Sequence, residues 1–156
     1  MALQWNVADF SVEDLLSMAA AMEQAGYDYY EEIIQKTSEP RVKNEVRFLR
    51  DEEAQHKGVF QEMLKKKGKS AAKVSGALQQ ILQKEVITPL EEMRATKKIS
   101  SNRDALSFGA SMERTSIEFY KALAAQPAAA ALVSDINAVI KEEEGHLRKI
   151  SVLLAY

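Results

Sequence analysis

Only two histidines occur in the 156-residue chain, and each follows a glutamate by three positions: Glu53 with His56, and Glu143 with His146. The second pair lies 90 positions after the first. On an α-helix, residues i and i+3 share one face about a turn apart. A carboxylate and an imidazole at that spacing can close on a single metal ion. Reading outward at steps of three and four gives Val46, Leu49, Glu53, His56, Phe60, Met63, and then Ile136, Val139, Glu143, His146, Ile150, Leu153. The Glu and His therefore occupy places that the pattern otherwise fills with apolar side chains. A buried carboxylate must be paired, protonated or bound to a cation, because leaving it unpaired is costly. Glu52 and Glu142 fall off these stripes and read as solvated.

The same test finds one acid on each of two further stripes. These run Leu16, Ala20, Glu23, Tyr27, Tyr30, Ile34, and Leu106, Ala110, Glu113, Ile117, Tyr120, Ala124. Six polar groups are thus expected in a core: Glu23, Glu53, His56, Glu113, Glu143 and His146. Glutamate oxygens with imidazole suit iron, manganese or zinc, whereas thiolate-seeking Cu(I) does not fit. The plainer alternative is a pair of buried Glu–His ion pairs.

The elements that must position these groups read as helices. Abundant Ala, Glu, Lys, Leu and Gln, with three Pro and six Gly, favour an all-α fold. Residues 1–10, including Trp5, carry no clear period and read as a lead-in strap. Ser11 with Asp14 makes a capping-box-like start for a helix over 12–36. Thr37-Ser38-Glu39-Pro40 is a turn and a new start, because proline is tolerated in a first helical turn. The second helix is expected over about 39–67. Its end, Lys65-Lys66-Lys67 then Gly68, suits a helix C-terminus better than a nucleic-acid patch. Residues 68–100 form a connector, with Ala77, Leu78, Ile81, Leu82, Val86 and Leu90 at helical spacing and a kink near Thr88-Pro89. Ser101-Asn102 opens a third helix, Gln126-Pro127 makes a turn, and a fourth helix is expected from about 128 to near the C-terminus.

The halves repeat at the 90-residue offset: Ser11 matches Ser101, Met22-Glu23 matches Met112-Glu113, and Tyr30 matches Tyr120. The expected architecture is one domain over 1–156, built from a hairpin (11–67), a crossover (68–100) and a second hairpin (101–156). A connector this long is what two parallel helices require. A net charge of −2 gives no reason to expect nucleic acid or an anionic membrane. With no run of eighteen apolar residues and no basic-then-apolar leader, a soluble chain is expected, cytoplasmic by default. Zero cysteines exclude disulfides and a cysteine-ligated iron site within this chain.

One Glu from each of two helices, plus a Glu-x-x-His from each of the other two, is the arrangement of ferritin-like dinuclear carboxylate proteins. Within that superfamily the chain resembles the rubrerythrins, through Met22-Glu23, Glu53-Ala54-Gln55-His56, Met112-Glu113 and Glu143-Glu144-Gly145-His146, over roughly residues 11–156. The resemblance implies a ferritin-like four-helix bundle holding two iron ions, with Mn or Zn as alternatives. It implies that Glu53 and Glu143 bridge the ions, that Glu23 and Glu113 are terminal ligands, and that His56 and His146 complete one set each. It also implies reduction of hydrogen peroxide with electrons from a rubredoxin-type donor. Rubrerythrins usually carry a further carboxylate three residues after the third-helix Glu. That place is Ser116 here, and its mirror is Gly26. Glu118 and Asp28 lie about 140° around their helices from the ligands, so neither substitutes easily.

Small Gly26 and Ser116 leave room for a small oxidant or a water beside the metals. Tyr30 and Tyr120 stand two turns beyond Glu23 and Glu113 on the same face, placed to hydrogen-bond a carboxylate or to donate an electron. Tyr27 shares that stripe. The plainer reading of all three is core tyrosine with a satisfied hydroxyl. The functional expectation is a di-iron oxidoreductase acting on hydrogen peroxide or oxygen, supplied by a separate donor such as a rubredoxin. The alternatives are ferritin-like iron oxidation and storage, or a di-metal oxidase of unknown substrate. A homodimer is expected, and the crossover is long enough to allow helix exchange.

Overall fold

The computed structural model describes residues 6–68, 76–84, 88 and 101–155. Five α-helices are described: α1 (Val12–Lys36), α2 (Pro40–Lys66), α3 (Gly76–Leu82), α4 (Asn102–Ala124) and α5 (Val133–Leu154). The 90-residue repeat is written into their starts. Ser11 Oγ accepts from the Asp14 amide at 3.1 Å, and Ser101 Oγ accepts from the Asp104 amide at 3.2 Å. Each serine satisfies one of the amides that a helix N-terminus leaves unpaired. Pro40 opens α2, where its missing N–H costs nothing, and Thr37 Oγ1 holds the Glu39 amide at 3.2 Å. Gly68 ends that hairpin at φ 80°, a left-handed conformation that favours glycine.

The fourth helix departs from expectation at its start. Pro127–Leu132 winds as a 3-10 segment, and the α-helix begins at Val133. Pro127 lacks an amide hydrogen, and the alanines that follow are small enough for the tighter winding. The turn buries Ala129 and Leu132. Lys67 secures it by donating to the Ala128 carbonyl at 3.2 Å.

α1 packs along α2 and α4 along α5, and the two hairpins meet chiefly through α1 against α4. α2 touches α5 across the opposite side. The apolar core falls into two parts. One gathers Leu15, Leu16, Met18, Phe60, Leu64, Phe119, Leu123 and Ile136; the other gathers Tyr29, Ile33, Val46, Leu49, Leu106 and Ile150. Burying such side chains is the main force holding the helices together, at about 1.5–3 kcal/mol for each large one. α3 packs on α1 through fully buried Leu78. Before α1, Asn6 caps a short 3-10 turn, Val7–Asp9, whose Val7 is buried. Residues 1–5 of the expected strap, Trp5 among them, and Val86, Pro89 and Leu90 of the connector, lie outside the described residues.

Candidate metal centre

Between the two halves of the core, the stripes deliver their polar residues to one place. Glu23 comes from α1, Glu53 and His56 from α2, Glu113 from α4, and Glu143 and His146 from α5. None is more than 5 % exposed, so solvent cannot be what compensates their charge. Their donor atoms form two groups, each within 4.8 Å: Glu23, Glu53, His56 and Glu143, and Glu53, Glu113, Glu143 and His146. Glu53 and Glu143 belong to both. Each group adds one further Glu and one His, which is the donor arithmetic of two ions sharing two carboxylates.

Both imidazoles turn Nδ1 inward. His56 Nδ1 lies 2.8 Å from Glu143 Oε1 and 3.6 Å from Glu23 Oε2. His146 Nδ1 lies 3.2 Å from Glu143 Oε2, 3.3 Å from Glu113 Oε1 and 3.5 Å from Glu53 Oε1. The rings stack 5.5 Å apart. Two tyrosines close the ends, each crossing to the other hairpin. Tyr30 on α1 donates to Glu113 Oε1 at 2.5 Å, and Tyr120 on α4 donates to Glu23 Oε1 at 2.5 Å. Tyr27 is placed differently: it is half-buried, with the Arg50 guanidinium carbon 5.8 Å from its ring centre. Tyr29, which the periodicity did not single out, donates to the Ala105 carbonyl at 2.6 Å and ties α1 to the start of α4.

So many acids in one core shift each other's protonation. Burial, then repulsion from Glu23, Glu113 and Glu143, holds the Glu53 carboxyl well above the usual range. Glu113 is pushed up to about 8 by burial and by Glu143. Burial lowers His56, but its contacts with Glu143 and Glu23 outweigh that and raise it to about 11. His146 rises to about 10 against the same burial, through Glu113 and Glu143. Tyr30 and Tyr120 rise with burial and with the acids they face. Protons and imidazolium charge thus hold the metal-free cluster together. Even so, Glu23 Oε2, Glu53 Oε1 and Glu143 Oε2 have no hydrogen-bond partner. Buried oxygens left in this way need a compensating partner, and a cation between them supplies it. The residues present fit a pair of ions with oxygen and imidazole ligands.

Beside the cluster, Met22, Gly26, Tyr30, Glu53, Met112, Glu113 and Ser116 line a cavity of about 10 Å³, room for about one water. A Cβ on Gly26 would overlap Glu53 Oε2, so glycine at this position leaves Glu53 its space. Asp28, on the far side of α1, is exposed and accepts from Gln24 at 2.9 Å.

A family model for rubrerythrin matches residues 14–154. The chain belongs to the rubrerythrin family. That membership makes it a ferritin-like all-α bundle and places it among di-iron proteins of oxidoreductase type at the level of the family. No curated protein and no solved structure matches it. Among the described residues no single helix is long and apolar enough to cross a membrane.

At this rubrerythrin site Glu142 is exposed, as its place off the stripe implies, while Glu52 is half-buried, and both also face a histidine ring of the opposite hairpin. Glu142 Oε2 lies 2.5 Å from His56 Nε2, and Glu52 Oε2 lies 4.0 Å from His146 Nε2. Each falls off its own helix's apolar stripe, yet the facing helix presents a ring edge to it. The signal was the doubled acid itself, Glu52-Glu53 repeated as Glu142-Glu143. Which helix edges face each other is what the one-helix stripe could not show.

Proposed function

We propose that this chain reduces hydrogen peroxide at a pair of iron ions held by Glu23, Glu53, His56, Glu113, Glu143 and His146, taking electrons from a separate protein. The observation that carries the reading is the cavity between Gly26 and Ser116. It abuts Glu53 and Glu113 and has room for about one water, which favours a small oxidant over an organic substrate beside the donor groups. Reduction of peroxide to two waters consumes two electrons and two protons, and bound iron is what would supply electron transfer to the O–O bond. The protein's part is the rest. Glu53 and Glu143 hold the two positions at a common spacing. Tyr30 and Tyr120 hold the Glu113 and Glu23 carboxylates in place through their hydroxyls. The apolar layers above and below exclude bulk water.

The chain holds no cysteine, so a rubredoxin-type CxxC iron site cannot come from these residues. A separate donor such as a rubredoxin is therefore part of the proposal, as are a cytoplasmic location and a homodimer.

Stopped-flow reoxidation tests the reading. The di-ferrous protein is expected to react faster with hydrogen peroxide than with oxygen at equal concentration, and to turn over when a reduced donor is supplied. Faster reaction with oxygen, together with growth of a mineral core, would replace this reading by iron oxidation and storage.

A further inference from the structure

Glu52 and Glu142 stand outside the six-residue set, one position before the two shared glutamates. Each addresses the histidine of the opposite hairpin on the nitrogen that faces away from the cluster. Glu142 Oε2 is 2.5 Å from His56 Nε2, while His56 Nδ1 faces Glu143. An ionised carboxylate only accepts hydrogen bonds, so Glu142 keeps a proton on Nε2. The hydrogen bond made by one ring nitrogen sets the role of the other. His56 is thereby held at a fixed ring angle with Nδ1 on the inner side, the nitrogen whose proton a metal ion would displace.

The mirror contact is open. Glu52 Oε2 is 4.0 Å from His146 Nε2, beyond hydrogen-bond reach, and that nitrogen is buried with no hydrogen-bond partner. The repeat makes the two histidines equivalent in sequence, but their outer partners are unequal in space. A ligand whose ring is already oriented loses less freedom when it binds.

We propose that Glu142 is a positioning residue that fixes the His56 ring for metal binding, and that Glu52 does this less firmly for His146, so the position at His56 fills first. This rests on the metal site of the preceding section and adds an order of filling to it. Glu52, His56 and His146 also form a donor group on this outer side. Under the proposal that group holds no ion of its own, because both rings are committed inward through Nδ1.

The test titrates metal-free protein with Co(II), following the visible bands of the bound ion and the stoichiometry by calorimetry. Wild-type chain is expected to take up two ions in resolvable steps. Glu142→Ala is expected to weaken the first step by roughly 10- to 100-fold. Glu142→Gln, which can still accept through its amide oxygen, should lose less, and Glu52→Ala should spare the first step. Loss of the His56 ring N–H signal from the proton spectrum of the Co(II)-loaded Glu142→Ala protein is a change that a merely structural role would not produce. The melting temperature of each metal-free variant checks that the bundle is intact.

A first step within about twofold of wild type in Glu142→Ala would overturn the proposal, against the 10- to 100-fold loss typical of such partners. So would a larger first-step effect from Glu52→Ala, or a third ion bound per chain. A wild-type chain that binds no ions would overturn the metal site itself and the inference with it. That outcome is distinguishable from a wild type that binds beside an unaffected variant.

Discussion

Gly26 and Glu53 share one volume: the side chain that α1 lacks at Gly26 is the space that Glu53 of α2 occupies with its carboxylate. Glycine inside a helix costs about 1 kcal/mol relative to alanine, so on helix propensity alone Gly26→Ala would stabilise. The added methyl instead displaces a buried carboxylate, and overpacking of this kind costs about 1–3 kcal/mol. A net loss of stability of about 1 kcal/mol is expected, with weaker metal binding. Ser116→Ala at the mirror position should stay within about 0.5 kcal/mol of wild type. Urea unfolding of the two metal-free variants decides between propensity and crowding. A more stable Gly26→Ala protein with unchanged metal affinity would show that Glu53 does not need the space.

Tyr30 and Tyr120 make the same contact in opposite directions, to Glu113 and Glu23. A hydrogen bond contributes about 0.5–1.5 kcal/mol with a neutral partner and about 1.5–3 kcal/mol with a charged one, and metal-free Glu113, held up to about 8, is largely neutral at pH 7. Tyr30→Phe is expected to lower the stability of the metal-free protein at pH 7 by about 0.5–1.5 kcal/mol, and Tyr120→Phe by at least as much. Chemical denaturation of both variants measures this. Two neutral substitutions would mean that the hydroxyls only fill the core.

The ends of α1 and α4 were legible because Ser11 and Ser101 sit at capping positions three residues before an acid. The six cluster residues were legible because each interrupts an apolar stripe, and a stripe states which face of its own helix is buried. What a neighbouring helix offers is not contained in that pattern. The contact that exposed Glu142 makes with His56 was therefore not legible, and the hydroxyls of Tyr30 and Tyr120 could not be assigned to the acid of the opposite hairpin. The 3-10 turn at Pro127–Leu132 was hidden because an alanine run suits an α-helix equally well. Tyr29 was passed over since its partner is a backbone carbonyl, which leaves no mark in composition.

The protonation of the cluster sets a pH dependence with a definite sign. An unfolded Glu titrates near 4.5 and an unfolded His near 6.5, whereas the folded chain holds Glu113 up to about 8 and His56 up to about 11. Between those limits the folded state keeps protons that the unfolded state has released, so stability falls as pH rises. Glu113's contribution is fully present below pH 4.5 and lost as pH rises through about 8; that of His56 is present below 6.5 and lost through about 11. Metal takes the place of those protons, so its stabilising effect should grow over the same range. Melting temperatures at pH 5.5, 7 and 8.5, with and without chelator, should therefore diverge as pH rises. Metal-free protein that becomes more stable toward alkaline pH would contradict this.

The central claim is that Glu53 and Glu143 are common to two metal positions while Glu23 and Glu113 each serve one. Metal content per chain in the variants tests it most directly. Wild-type protein is expected to hold two ions, Glu23→Ala and Glu113→Ala to keep one, and Glu53→Ala and Glu143→Ala to lose both together. A Glu53→Ala or Glu143→Ala protein that retains one ion at full occupancy would contradict the shared-carboxylate arrangement.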